Sequence, residues 1–262
     1  MFSGKKKQII LDKVSKKQPI ICLTSYTAPI AKIADKFADI ILVGDSVGPV
    51  LYGLESTKKV SLQMMIEHAK AVVNNTKKAF IAVDMPFGSY EEDKMIAYKN
   101  ARKIILETGA DAVKLEGGES ISDTLKYLTQ KGILVIGHIG MLPQSFDGKY
   151  KVYGKSQFQK KQIIKDLKIL EEAGVFLIVL ECILEKLADQ IINKSKIPII
   201  GIGASKRCDG QILVVEDLLG LTDFESKFLK KYTNLKKIIS DSLSEFASEV
   251  KKKKYPSKKH LY

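Results

Sequence analysis

The sequence predicts an α/β fold, a single (β/α)8 TIM barrel spanning residues 1–262, and three observations point there. Short apolar runs recur along the chain with helical patterns between them, each run too short to be a helix. Six of the runs end in the same way, on a carboxylate, a histidine or glycines: 40–43 before Gly44-Asp45-Ser46, 79–83 before Asp84, 112–116 before Gly117-Gly118, 133–137 before His138, 175–180 before Glu181 and 198–202 before Gly203. The 262 residues suit one large α/β domain rather than two. Eight β/α units in about 250 residues form a closed barrel, whose active site lies at the carboxyl ends of its strands. An open doubly wound sheet is the alternative, but it would carry a glycine fingerprint after an early strand, and Gly44-Asp45-Ser46-Val47-Gly48 is not GxGxxG.

Taken in order, residues 19–24 form the first strand. A helix over 29–38 has Pro29 in its first turn and Ile30, Ile33, Ala34 and Phe37 as its buried stripe. The second strand delivers Asp45. After a glycine-bearing connection Ser61 caps a helix in which Leu62, Met65, Ile66, Ala69, Val72 and Val73 follow the 3.6-residue period. His68 lies in that helix, away from any strand end, with no chemical task. The third strand delivers Asp84. Ser89 then precedes the acidic turn Glu91-Glu92-Asp93, which complements the dipole of a helix carrying Met95, Ile96, Ala101, Ile104 and Ile105 and ending at Gly109.

Lys114 and Glu116 stand two apart on the fourth strand and therefore share a face. A short helix over 122–129 leads to the fifth strand and His138. Residues 140–155, with Pro143, Gln144, Gly148 and Gly154, show no periodicity over a length more typical of a lid or binding loop than of a simple connection. A helix over 156–173 (Phe158, Ile163, Ile164, Leu167, Leu170) leads to the sixth strand and Glu181, and 184–192 is helical. The seventh strand runs into Gly201-Ile202-Gly203-Ala204-Ser205, and Asp209-Gly210 turns into a last strand over 211–215. Residues 224–250 read as helical, with a lysine-rich tail from about 251.

The bulk composition excludes several classes. No apolar run approaches the roughly 20 residues of a membrane span. Residues 1–17 are lysine-rich but lack the apolar stretch and cleavage site of a secretory signal, so a cytoplasmic location is expected. Cys22, Cys182 and Cys208 show neither metal-ligand spacing nor a disulfide framework, and strand alternation points Cys182 away from the side that Glu181 faces. The formal charge of +13 suggests nucleic acid, yet Arg102 and Arg207 are the sole arginines and the lysines are scattered over helix faces and termini. Base and bidentate phosphate recognition lean on arginine, so no nucleic-acid function is expected.

Asp45, Asp84 and Glu116 come from three neighbouring strands, and their carboxylates should converge. Three carboxylates at close range require a counter-charge, and for hard oxygen ligands a divalent cation such as Mg²⁺ is the expected one. Helix capping or pairing with surface lysines would be the bland alternative. Such a cation chelates a 2-oxo acid and stabilises the carbanion formed when the neighbouring C–H is lost. Lys114 can neutralise a carboxylate or form a Schiff base; carboxylates beside it favour charge pairing. Glu181, emerging from an apolar strand, suits a general acid or base.

The motifs Gly44-Asp45-Ser46, Val83-Asp84-Met85-Pro86-Phe87, Val113-Lys114-Leu115-Glu116-Gly117-Gly118, Gly137-His138-Ile139-Gly140, Leu142-Pro143-Gln144-Ser145, Leu180-Glu181-Cys182, Ile200-Gly201-Ile202-Gly203-Ala204 and Cys208-Asp209-Gly210-Gln211 together resemble the ketopantoate hydroxymethyltransferase family, over nearly the whole chain. The resemblance implies a barrel of the phosphoenolpyruvate mutase/isocitrate lyase superfamily. It implies Mg²⁺-dependent transfer of the one-carbon unit of 5,10-methylenetetrahydrofolate to 3-methyl-2-oxobutanoate, giving 2-dehydropantoate for pantothenate and coenzyme A. By motif, Asp45, Asp84 and Glu116 correspond to the metal set, Asp45, Ser46, Asp84 and Lys114 to the oxo-acid site, and Glu181 to the proton acceptor. His138 either contacts substrate or folate or simply hydrogen-bonds near the rim. The resemblance also implies a homo-oligomer, a decamer in bacterial members. A C–C lyase of the same superfamily is the alternative, but its usual Lys-Cys-Gly-His loop does not occur here. One departure is Ser205, where the family usually has glycine; a positive φ there would strain a serine.

Overall fold

The computed structural model describes residues 2–145 and 151–262. The chain divides into two compact units, Met1–Val214 and Val215–Tyr262. The first is a closed barrel of eight parallel strands in sequence order, β1 closing on β8. The strands are β1 (Ile20–Thr24), β2 (Ile40–Val43), β3 (Phe80–Asp84), β4 (Ala112–Glu116), β5 (Val135–Gly140), β6 (Leu177–Glu181), β7 (Ile199–Ile202) and β8 (Gly210–Leu213).

An element that the sequence reading did not assign comes first. Helix α1 (Phe2–Ser15) lies against the amino-terminal end of the barrel and inserts Ile10 into the apolar cluster of the lumen, beside Ile20, Phe80 and Phe176. Two of its lysines pair with aspartates at the strand starts, Lys6 with Asp111 at 3.2 Å and Lys13 with Asp39 at 2.6 Å. Those aspartates also accept from backbone N–H groups, of Ile81 and Ile21. The lysine run is thus the polar face of a helix with one deeply buried isoleucine.

Helices α2 (Ala28–Ala34), α3 (Val47–Tyr52), α4 (Leu62–Val73), α5 (Lys94–Thr108), α6 (Ser122–Gln130), α7 (Gln157–Glu172) and α8 (Glu185–Lys194) connect the strands. The expected caps at Ser61 and Gly109 are present, and Ser156 adds one that was not expected. Ser61 accepts from Met64 N at 3.2 Å, Gly109 closes α5 with φ 76°, and Ser156 forms a capping box with Gln159. At α5 the last residue of the expected acidic turn, Asp93, is the cap itself and accepts from the N–H groups of Met95 and Ile96.

The expected buried stripe of α2 is corrected. Ile33 and Phe37 are 56% and 66% exposed, and the buried positions are Ala31, Ala34 and Ala38. Alanines let the short helix sit close to its strands, which turns the bulkier residues outward. Met95, Ile96 and Phe158 are also exposed, because they lie off the inner faces of α5 and α7, which are Ala97, Ala101 and Ile104, and Ile163, Leu167 and Leu170. The last strand is shorter than expected, since Val215 already starts a helix. Gly148, in the aperiodic stretch, lies outside the described residues.

The second unit contains α9 (Val215–Leu218) and α10 (Leu235–Lys251). The helix expected over 224–250 begins only after Asn234, whose side chain caps it by accepting from Lys237 N at 3.0 Å. In the tail the lysines 251–254 are exposed, while Phe246, Tyr255 and His260 stack in series with centroids 5.4 and 5.2 Å apart.

Candidate active site

Strand alternation decides which residues look into the barrel. Phe80, Ala82 and Asp84 point inward from β3, Ala112, Lys114 and Glu116 from β4, Ile136 and His138 from β5, and Leu177, Val179 and Glu181 from β6. The register aligns Asp84 with Lys114 and Glu116 with His138, so the last inward position of each strand meets its neighbour at the carboxyl end. Asp45 joins them from the turn after β2, where its N–H donates to Asp84 Oδ2 at 3.0 Å.

The expected residues form one continuous cluster. Lys114 Nζ lies 2.9 Å from Asp84 Oδ1, 3.9 Å from Glu116 Oε1 and 3.3 Å from His138 Nδ1. His138 sits between two carboxylates, Nδ1 at 3.2 Å from Glu116 Oε1 and Nε2 at 3.2 Å from Glu181 Oε2. All six of these groups, Asp45 included, are buried. Ser46 is at the edge of the cluster, its hydroxyl 2.7 Å from the Tyr26 hydroxyl. His68 supports that edge from behind: its Nδ1 donates to the Tyr26 carbonyl at 2.7 Å and its Nε2 accepts from the Tyr52 hydroxyl at 3.0 Å.

Burial and mutual repulsion set the charge states. Desolvation, with Asp84 and Glu116 nearby, pushes the Asp45 carboxyl up to about 8. Asp84 is also raised, because burial outweighs the Lys114 ammonium beside it. Glu116 is equally desolvated, but His138 and Lys114 hold it below the usual carboxylate range. Burial works against the Lys114 ammonium, yet Asp84, Glu116 and Asp45 raise it above an ordinary lysine, so it is a charged group and a poor imine-forming amine. For His138, burial and Lys114 act downward, and Glu116 and Glu181 overcome them to raise it to about 9. At neutral pH it is an imidazolium in ionic contact with both glutamates.

The donor set fits a hard divalent cation. Asp84 Oδ1 and Glu116 Oε1 are buried without a directed hydrogen bond, their contacts to Lys114 and His138 being ionic, and the raised Asp45 and Asp84 mark negative charge that one lysine leaves uncompensated. Among the described residues no group of three or more His, Cys, Asp and Glu side chains is arranged to hold a metal ion, so the expected convergence of Asp45, Asp84 and Glu116 into a three-carboxylate site is not met. Mg²⁺ commonly takes one or two protein carboxylates and completes its shell with water and substrate oxygens, and Asp45 and Asp84, joined by the Asp45 N–H, are the pair that could hold it. Each of the three carboxylates accepts a hydrogen bond, Glu116 through Oε2 from Gln144 N at 2.9 Å.

Sequence reasoning missed the parts that join these groups. Gln144 bonds Asp45, Glu116 and the Met85 carbonyl, and Tyr90 bonds Gln144. Gln144 stood in a quoted motif, but nothing local predicts a contact 99 positions away. Gly140 has φ 104°, and a Cβ there would stand 2.3 Å from the Glu181 carbonyl, so only glycine lets β5 close against the end of β6. Directly after Glu181 the chain turns through Cys182 at φ 49°; that buried thiol is pushed up to about 12 by burial and by the Glu181 charge, and is no nucleophile. Ser205 is not among the described non-glycine residues with positive φ; its hydroxyl donates to Asp189 at 2.7 Å and accepts from Arg207 N at 3.2 Å, so the serine is unstrained.

Comparison with known proteins agrees with this picture. The family model described as ketopantoate hydroxymethyltransferase matches residues 6–258. A protein of Pelagibacter ubique named 3-methyl-2-oxobutanoate hydroxymethyltransferase is 48% identical over 257 residues, covering 98% of this chain and 99% of its own. One of Rhizobium etli with the same name is 47% identical over 248 residues, covering 94% and 91%. Among solved structures, a phosphonopyruvate hydrolase in complex with oxalate and Mg²⁺ superposes with a TM-score of 0.63 at 11% identity, covering 98% of this chain and 91% of that one. A 2,3-dimethylmalate lyase of the PEP mutase/isocitrate lyase superfamily superposes with a TM-score of 0.63 at 13% identity, covering 99% and 88%. The lyase likeness is one of fold, and the alternative lyase activity is not favoured beside relatives near half identity. The chain belongs to the ketopantoate hydroxymethyltransferase family.

Proposed function

We propose that this protein transfers the one-carbon unit of 5,10-methylenetetrahydrofolate to C3 of 3-methyl-2-oxobutanoate, giving 2-dehydropantoate and tetrahydrofolate. The observation that carries the reading is the buried chain of charges running from Asp45 and Asp84 through Lys114, Glu116 and His138 to Glu181. A cation-binding end and a basic end within one buried cluster would support proton abstraction beside a carbonyl.

In this reading Asp45 and Asp84 would hold Mg²⁺, with Glu116 beside them, and the ion would supply a Lewis acid for the 2-oxo and carboxylate oxygens. Lys114 neutralises negative charge that develops on the substrate, and Ser46 helps orient the oxo acid. Glu181 takes the C3 proton. Its partner His138, charged and with Nε2 3.2 Å from Glu181 Oε2, aims that side chain, and so acts as a positioning residue. The carbon left at C3 bonds to the methylene carbon, both bonds from that carbon to the folate nitrogens N5 and N10 break, water supplies the hydroxyl group of the product, and the C3 proton and the second water proton end on the two nitrogens. The reading includes a homo-oligomer, decameric by family resemblance, which sedimentation would test.

The direct test is product analysis with the purified chain. Tetrahydrofolate and 2-dehydropantoate should form together, only when oxo acid, methylene folate and Mg²⁺ are all present. Turnover of a 2-alkylmalate to a 2-oxo acid without folate would support the lyase instead.

A further inference from the structure

Gln144, 1% exposed, uses its backbone N–H and both ends of its side-chain amide in hydrogen bonds. Its backbone N–H donates to Glu116 Oε2 at 2.9 Å. Its side-chain nitrogen donates to Asp45 Oδ2 at 2.8 Å and to the Met85 carbonyl at 2.9 Å, and its Oε1 accepts from the Tyr90 hydroxyl at 2.6 Å. The turn Pro143–Ser145 is thereby tied to the ends of β2, β3 and β4 at once.

The amide has one acceptable orientation. Reversed, its carbonyl oxygen would face a carboxylate and a carbonyl, three acceptors together, and both N–H donors would lose their partners. The group that enforces the observed orientation is the Tyr90 hydroxyl. Its single proton has two acceptors within reach, Gln144 Oε1 at 2.6 Å and the Glu116 carbonyl at 3.3 Å, and the shorter contact takes it. In return its oxygen accepts from Glu116 N at 3.2 Å. A continuous line of donors runs from the Glu116 backbone through Tyr90 and Gln144 to the Asp45 carboxylate.

We infer that Gln144, its amide oriented by the Tyr90 hydroxyl, is a positioning residue that holds Asp45 in the attitude in which it receives a divalent cation. This rests on the proposed reading of Asp45 as a cation ligand. Outer partners of metal-binding carboxylates commonly change affinity by about 10- to 100-fold when removed.

The test uses Tyr90→Phe, which deletes one oxygen and keeps the ring, and Gln144→Met, which keeps the volume and deletes the amide. Mn²⁺ affinity is measured without substrate, from the free-ion electron paramagnetic resonance signal, alongside the thermal midpoint. The Mn²⁺ Kd should weaken about tenfold in Tyr90→Phe and further in Gln144→Met. In turnover, Tyr90→Phe should raise the Mg²⁺ requirement and leave kcat near wild type at saturating Mg²⁺. Variants that lose thermal stability but keep the wild-type Mn²⁺ Kd would make the pair a mere loop anchor and overturn the inference while leaving the function intact. Folded wild-type protein that binds no Mn²⁺ at millimolar concentration would overturn the cation reading of Asp45 itself, and this inference with it.

Discussion

The two ends of the barrel lumen are built from the same strands by the same alternation, and their chemistry is opposite. At the amino-terminal end Phe80 and Phe176 pack with centroids 5.5 Å apart and Ile10 of α1 closes the floor. Two strand positions beyond Ala82 stands Asp84, and two beyond Ala112 stands Lys114. Alternation therefore chooses the face, and position along the strand chooses the chemistry. The floor also shapes the top, because an apolar layer that keeps water out from below is part of why Asp45 rises to about 8 and why His138 is held as a cation only by its glutamates.

If the two ends divide the work, changes at each should move different observables. The largest effect belongs to the top: Glu181→Gln should slow exchange of the substrate C3 proton by about 10²- to 10⁴-fold, read by NMR, while oxo-acid binding persists. Wild-type exchange in that variant would remove Glu181 from the base role. At the floor, Phe80→Ala should cost about 3–5 kcal/mol in urea unfolding by leaving a cavity, with exchange per folded molecule near wild type. Exchange that falls in step with stability would mean that the ends are not separable.

A middle-sized effect is the pH dependence of the metal-free protein. Asp45 and His138 both bind their proton more tightly folded than unfolded, Asp45 rising from 3.8 to about 8 and His138 from 6.5 to about 9. The stability each contributes is full below its unfolded value and is lost as pH rises through its folded one. The thermal midpoint should fall between about pH 7 and pH 9, and saturating Mg²⁺ should flatten the Asp45 part, because a bound cation favours the ionised carboxylate. A midpoint that climbs over that range contradicts these charge states. The smallest effect is at the rim, where Ser205→Gly deletes the bonds to Asp189 and Arg207 and should destabilise by about 1 kcal/mol. A gain in stability would show that the serine is strained after all.

How much of this was legible in the sequence depends on range. A period of two fixed which of Asp84, Lys114, Glu116, His138 and Glu181 share the lumen, and the carboxyl-end rule for barrels grouped them with Asp45. The floor was hidden because Ile10 lies in a lysine run, and its burial depends on ion pairs to Asp111 and Asp39 far along the chain. Gln144 and Tyr90 were hidden for the same reason: their bonds join residues tens of positions apart. The surface of α2 was misread because hydrophobicity was taken as the guide to burial where small size decided it, as Ala31 and Ala34 against exposed Ile33 show.

The central claim is that the charged end of the lumen carries out Mg²⁺-dependent removal of a proton beside a carbonyl. Its most direct measurement follows the C3 proton of 3-methyl-2-oxobutanoate by NMR in D₂O with the wild-type protein, with and without Mg²⁺ and with no folate present. The predicted result is loss of that signal only when Mg²⁺ is added. Folded protein that leaves the C3 proton in place under both conditions would contradict it.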